Sequence, residues 1–174
     1  DYNHGFVLPA AIDKYICFAI SKNDTQDCHI ISLDLNDEYQ FNIKDKIEPI
    51  TKNWVNYFLG VFNQVQEKID KGFNIVFSST VPIGAGLSSS AALECGFLFG
   101  LNYFFELGLN KEQIAKMGQK AEHTFAGVNC GIMDQFASVF GKENHVIFLD
   151  CDSLEYQYAP ADFGDYTLLL LNTN

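Results

Sequence analysis

Basic residues are scarce, with 11 Lys and Arg against 22 Asp and Glu and a net charge of -11. A molecule so charged repels phosphate backbones and anionic headgroups, which counts against nucleic-acid and membrane-surface binding. It does not exclude a nucleotide, because local backbone N–H groups and a metal ion can hold phosphates whatever the overall charge. Cysteine pairs at zinc or redox spacing are lacking too. Cys17, Cys28, Cys95, Cys130 and Cys151 are odd in number and scattered, and read as reduced, packed thiols in a cytosolic protein. No charged stretch followed by an apolar run opens the chain, so no secretory signal is expected. The chain has no starting Met and begins at Asp1 inside what reads as a motif, so residues 1–174 are taken as one domain truncated at both ends. Repeats, low-complexity tracts and linkers are also missing.

What is present suffices for one packed core: 48% of the residues are hydrophobic and 14% aromatic, too apolar a mixture for a disordered segment. The stretch from Ala91 to Leu109 is apolar almost all round and contains Gly96-x-x-x-Gly100, a pattern of membrane helix pairs. Glu94, Asn102 and Glu106 interrupt it. The expectation is a central helix buried in a soluble domain, with the two glycines letting another element approach its backbone.

Alternating and β-branched residues from Phe6 to Ile20 and from His29 to Ile43, broken at Lys22-Asn23-Asp24 and Asn36-Asp37, predict antiparallel strands joined by turns. Asn53 to Ile69 carries apolar residues at helical spacing and precedes a strand from Phe73 to Ser79. Asn110 with Gln113 predicts a capping box opening a helix through about Thr124. A glycine-containing loop follows, from Ala126 to Gly131. A short helical turn is expected at Asp134 to Val139, then strands near 146–150, 154–158 and 167–171. Strands and helices mix without regular βαβ alternation, so the fold class is α+β.

The strongest local signal is Val81-Pro82-Ile83-Gly84-Ala85-Gly86-Leu87-Ser88-Ser89-Ser90-Ala91, between a strand and the long helix. Gly84 and Gly86 permit a tight turn and close approach to a ligand, and the serines stand at a helix N-terminus whose free N–H groups favour anions. No Lys-Ser or Lys-Thr follows Gly86, so this is not a Walker A loop, and Ser89 stands where a dinucleotide fingerprint needs glycine. A turn with a serine cap is the bland alternative, but three consecutive serines exceed what one cap requires.

The run P-x-G-x-G-L-S-S-S-A resembles the phosphate-binding motif of the galactokinase, homoserine kinase, mevalonate kinase and phosphomevalonate kinase superfamily. Asp1-Tyr2-Asn3-His4-Gly5-Phe6-Val7-Leu8-Pro9 resembles the second half of the galactokinase signature, and Gly131-Ile132-Met133-Asp134-Gln135 resembles its catalytic segment. The resemblance implies a mixed, largely antiparallel sheet with helices packed on one side, a fold also found in ribosomal proteins, completed by a C-terminal domain beyond this chain. It implies transfer of the γ-phosphate of ATP to the C1 hydroxyl of galactose, with ATP and Mg2+ bound. By the same resemblance Gly84, Ala85, Gly86, Leu87, Ser88, Ser89 and Ser90 hold phosphates, Ser90 and Glu122 hold magnesium, and Asp134 is the catalytic base. Asp1 and Gly131 would contact the sugar. Trp54 and Tyr57 match a region near the adenine, although both also fit the apolar face of their own helix.

Magnesium prefers oxygen ligands and keeps several waters, so one hydroxyl, one carboxylate and the ATP phosphates suffice. A carboxylate is a weak base toward an alcohol, so proton transfer is expected late, with alignment and charge neutralisation carrying much of the catalysis. The alternatives are that Ser90 only caps, that Glu122 is a solvated helix residue, and that Asp134 is a helix N-cap. His123 is read as structural. N-acetylgalactosamine kinase and a catalytically silent galactose sensor are the rival functions, and an RNA-binding module is disfavoured by the charge. The family's charge-stabilising arginine, its Glu-His sugar pair and a later stacking tyrosine have no counterparts here, so residues 1–174 alone are expected to be inactive. No obligate protein partner is evident.

Overall fold

A computed structural model describes residues 1–82, 84–162, 164–166 and 169. Its elements are β1 (Phe6–Val7), β2 (Ile16–Lys22), β3 (Asp27–Ser32), β4 (Asp37–Asn42), α1 (Asn53–Asn63), β5 (Phe73–Ser79), α2 (Ser89–Phe104), α3 (Lys111–Ala121), α4 (Met133–Phe140), β6 (His145–Asp150) and β7 (Tyr156–Pro160). The α+β expectation holds. The expected strand at 167–171 lies outside the described residues, Leu169 apart.

The larger sheet has the order β2-β5-β3-β4. Strand β5 pairs antiparallel with β2 and parallel with β3, and β3 and β4 form an antiparallel hairpin. Thus β2 and β3, consecutive in the chain and joined by a turn, do not pair with each other; β5 lies between them. Alternation directs Cys28 and Ile30 of β3 and Phe73, Ile75 and Phe77 of β5 onto one buried face. There they share a core with Val55, Phe58 and Phe62 of α1, Phe97, Leu98 and Leu101 of α2, and Ile114 of α3. Each such side chain contributes about 1.5–3 kcal/mol on leaving water, so this aromatic-rich face is the main source of stability.

Helix α2 is buried on most sides, and its glycines act as expected. A Cβ on Gly96 would meet the Phe18 ring at 2.6 Å, and one on Gly100 would collide with the Ile20 side chain, so β2 lies directly on the helix backbone. No helix among the described residues is long and apolar enough to cross a membrane.

The strands expected near 146–150 and 154–158 are β6 and β7, and they join β1 in a smaller sheet of order β1-β6-β7. It packs against α4, whose Phe136 and Phe140 join Ile147 and Leu149 in a second core. The first nine residues are tied along β6, through the Phe6–Asp150 and Val7–Leu149 pairs and bonds from Ile147 N–H to the Pro9 carbonyl and from Cys151 N–H to the Gly5 carbonyl. The strand expected to run on from Phe6 stops at Val7; Pro9 has no N–H to continue it, and chain resumes as strand only at Ile16. Helix α4 therefore sits where the two cores meet, beside the chain's first residues.

Candidate active site

The glycine- and serine-rich loop leaves β5 and enters α2. Gly84, Gly86 and Ser88 all have positive φ (74°, 68° and 56°), while Ala85 and Leu87 between them do not. Left-handed residues at every second position carry the chain into the N-terminus of α2, where free backbone N–H groups favour an anion. Gly84 and Gly86 are exposed with open space where a Cβ would stand, so the left-handed backbone, not crowding, is what calls for glycine there. Ser88 is the N-cap residue of α2, yet its side chain makes no capping bond, and Ser89 and Ser90 lie within the first turn. The hydroxyls are not consumed in capping.

Ser90 instead donates to Glu122 Oε1 at 2.9 Å. Glu122 follows α3, in a π-helical turn over Glu122–Ala126 that ends at Gly127 in the left-handed region. A π turn re-phases the helix at this point, and such turns occur often at functional sites. Glu122 is only 7% exposed, which overturns the solvated-helix alternative. Its second oxygen accepts from Gln135 Nε2 at 2.8 Å and from the Cys130 thiol at 3.4 Å. Burial and the Glu122 charge push the Cys130 thiol up to about 12, and burial, then the Glu122, Glu94 and Cys130 charges, raise the neighbouring Tyr57 hydroxyl.

Ser90 and Glu122 fit a magnesium ion. Oxygen ligands at adjacent octahedral positions, each about 2.0–2.1 Å from the metal, stand about 2.9 Å apart. The Ser90–Glu122 oxygen separation is already 2.9 Å. Among the described residues no three His, Cys, Asp or Glu side chains group as a metal site, so other ligands would come from phosphates and water.

Asp134 lies in the first turn of α4, half-buried. It does not cap the helix: Ile132 is the N-cap residue, and no side chain of the helix's own caps it. The bond comes from elsewhere in the chain, for Asp1 Oδ1 accepts the Ile132 N–H at 3.0 Å. The Asp1 carboxylate covers the Cα of Gly131, where any Cβ would overlap it. Asp1, Gly131 and Asp134 are thereby gathered at one helix terminus.

Asp134 also shares a cleft of about 780 Å3 with Gly86, Leu87 and Ser88. Two lysines that the sequence reading passed over, Lys14 and Lys111, line this cleft and bring positive charge into an acidic molecule. Lys111 is the first residue of α3, behind the Asn110–Gln113 capping box expected from sequence.

Trp54 and Tyr57 are both half-buried against the main core, but they part company. The Trp54 indole donates to Asp37 at 2.9 Å and packs on Phe58 and Phe77. Burial, and then nearby charge that includes Glu122, raises the Tyr57 hydroxyl. His123 bonds the Cys130 carbonyl at 2.7 Å, tying down the loop before α4. Glu94 and Gln135 went unassigned, and both are completely buried next to Glu122.

Comparison with known proteins identifies the family. The model of the GHMP kinases N-terminal domain matches residues 56–142, and the galactokinase galactose-binding signature matches residues 1–22. The chain belongs to the GHMP kinase family. Within that family its similarity is to galactokinases. It is 42% identical over 176 residues to the galactokinase of Thermosipho africanus, covering 100% of this chain and 48% of the relative. It is 40% identical over 192 residues to that of Limosilactobacillus reuteri, again over 100% of this chain and 47% of the relative. The crystal structure of Lactococcus lactis galactokinase complexed with galactose superimposes with a TM-score of 0.87 at 32% identity, over 95% of this chain and 44% of that one. The chain thus spans about half the length of the curated relatives it matches.

Proposed function

We propose that this chain is the N-terminal, ATP- and sugar-handling part of a cytosolic galactokinase, which transfers the γ-phosphate of ATP to the C1 hydroxyl of galactose. One observation carries the reading: Asp134 shares a cleft with the Gly86–Ser88 loop, on a helix turn anchored by Asp1 of the galactose-binding signature.

The backbone N–H groups of residues 84–90 and the N-terminus of α2 bind the ATP phosphates. Ser90 and Glu122 would hold magnesium, which would supply neutralisation of the phosphate charge. Asp1 and the Gly131 backbone fix the sugar so that its anomeric hydroxyl faces Asp134. As the C1 oxygen bonds to the γ-phosphorus, the bond from that phosphorus to the β–γ bridging oxygen breaks and ADP departs with its electron pair. The hydroxyl proton passes to the Asp134 carboxylate, late in the step because a carboxylate is a weak base. Of the two aromatic candidates Tyr57 is the freer for contact with nucleotide, since the Trp54 indole is already held by Asp37.

The decisive test is a coupled ADP-release assay of the full-length protein with galactose, N-acetylgalactosamine and mevalonate in parallel. Turnover with galactose alone is expected. Preference for N-acetylgalactosamine, or sugar binding without turnover, would refute the assignment.

A further inference from the structure

Strand β5, which delivers the glycine- and serine-rich loop, is fixed at its end by a side chain from another part of the sheet. The β3–β5 ladder closes with the bond from Leu33 N–H to the Phe77 carbonyl at 3.0 Å. Alternate residues of a strand bond to the same side, so the next N–H on that edge belongs to Ser79. It goes to a side chain: Asp34 Oδ2 accepts the Ser79 N–H at 2.6 Å, and Asp34 Oδ1 accepts the Ser78 hydroxyl at 3.0 Å. Asp34 reaches β5 from the turn between β3 and β4, which is closed by the Asn36 N–H on the Leu33 carbonyl, with Asn36 left-handed at φ 46°.

On the opposite edge the Thr80 N–H donates to the Tyr15 carbonyl and the Tyr15 N–H to Thr80 Oγ1, both at 2.9 Å. Ser79 Oγ also accepts the Val81 N–H at 3.0 Å, and Val81 is buried and lines the cleft three residues before Gly84. Residues 79–81 are thus pinned from both sides just ahead of the loop. Asp34 itself is exposed, so its two bonds add little to the packed core. What they fix is the end of β5.

We propose that Asp34 is a positioning residue for the phosphate loop: by holding Ser78 and Ser79 it sets the point and direction from which residues 84–90 leave β5, and so the aim of their N–H groups at a nucleotide. This rests on the reading of residues 84–90 as the phosphate-binding loop. The sign of the effect separates positioning from simple charge. A carboxylate near a polyphosphate repels it, so if charge alone mattered, alanine and asparagine at Asp34 would both tighten ATP binding. If position matters, alanine weakens ATP binding and asparagine largely preserves it, because an amide oxygen can accept the Ser79 N–H while the amide nitrogen donates to Ser78 Oγ.

The test uses the full-length protein and two readouts. Asp34→Ala is expected to raise the ATP KM about tenfold with galactose KM unchanged, an effect smaller than the roughly hundredfold cost of a misplacement of about 1 Å. Asp34→Asn should recover most of that loss. Asp45→Ala is the matched control, since Asp45 is also exposed and accepts the Asn42 N–H at 2.8 Å at the far end of the same hairpin. It should lower the melting temperature about as much as Asp34→Ala and leave the ATP KM where it was. Amide hydrogen exchange of the nucleotide-free protein should quicken across residues 79–90 in Asp34→Ala, but not in Asp34→Asn or Asp45→Ala. Gly86→Val, which forces a β-branched residue onto a backbone at φ 68°, tests the loop itself. An ATP KM lowered or unmoved in Asp34→Ala while Gly86→Val raises it would overturn the proposal, as would equal losses in the Ala and Asn variants. Unchanged exchange in Asp34→Ala would overturn it in every case. If Gly86→Val left the ATP KM unmoved, the phosphate-loop reading would fall by itself, and the exchange pattern would still decide whether Asp34 positions residues 84–90.

Discussion

Replacing Gly131 with alanine should weaken sugar binding while leaving the fold intact. Gly131 does not require a left-handed backbone, so alanine is conformationally acceptable there. What it cannot do is coexist with Asp1, whose carboxylate occupies the place of the new Cβ. A single rotation of the short Asp1 side chain relieves the overlap, but it breaks the 3.0 Å bond from the Ile132 N–H. A hydrogen bond to a charged group contributes about 1.5–3 kcal/mol, so the loss corresponds to roughly 10- to 150-fold in affinity. The assay is the galactose KM of the full-length protein, with ATP KM and melting temperature as controls. Because the mechanism runs through Asp1, the Asp1→Ala and Gly131→Ala double variant should be no worse than Asp1→Ala alone, a coupling that a double-mutant cycle measures. Unchanged galactose KM in Gly131→Ala, or fully additive losses in the cycle, would refute the reasoning.

Other consequences are more direct. Asp134→Asn nearly preserves shape while removing the base, so kcat should fall by at least about a hundredfold with ATP binding little altered, as measured by steady-state kinetics and nucleotide titration. Ser90→Ala and Glu122→Gln should each raise the magnesium concentration for half-maximal turnover. Gly60→Ala should destabilise by about 1–3 kcal/mol through overpacking, read from denaturant unfolding, because a Cβ on Gly60 would lie 2.9 Å from that of Ala121. Residues 1–174 alone, about half the length of the matched galactokinases, should give no measurable galactose phosphorylation in a coupled assay.

Local chemistry was legible in the sequence where neighbours in the chain determine the outcome. The Asn110–Gln113 capping box, the strand at Phe73–Ser79 and the close approach to Gly96 and Gly100 all depend on short-range pattern or on the size of one side chain. The insertion of β5 between β2 and β3 was not legible, since strand order reflects packing over long separations and not the alternation within any one strand. The same limit applies to Asp1 and Ile132, joined by a bond across 131 positions. Glu94 looked like an interruption in an apolar helix because a carboxyl is priced as charged until its surroundings are known. The Glu122 environment depends on a π turn that no residue in Glu122–Ala126 announces.

The geometry of α4 suggests why Asp134 and Gln135 are adjacent. Successive helix residues point about 100° apart, so neighbours on one turn face different surroundings while staying rigidly fixed to each other. Asp134 faces the cleft, Gln135 turns into the protein to hold Glu122, and the N–H of Ile132 is held by Asp1. The proposed base, the metal-side carboxylate and the sugar-side carboxylate are thus referred to a single turn of helix. Phosphoryl transfer depends on alignment more than on covalent chemistry by the protein, and a misplacement of about 1 Å can cost on the order of a hundredfold. Three groups fixed separately by three loops would add their positional errors. Fixed to one turn, itself wedged between two aromatic cores, they share a common displacement, and their relative geometry survives it.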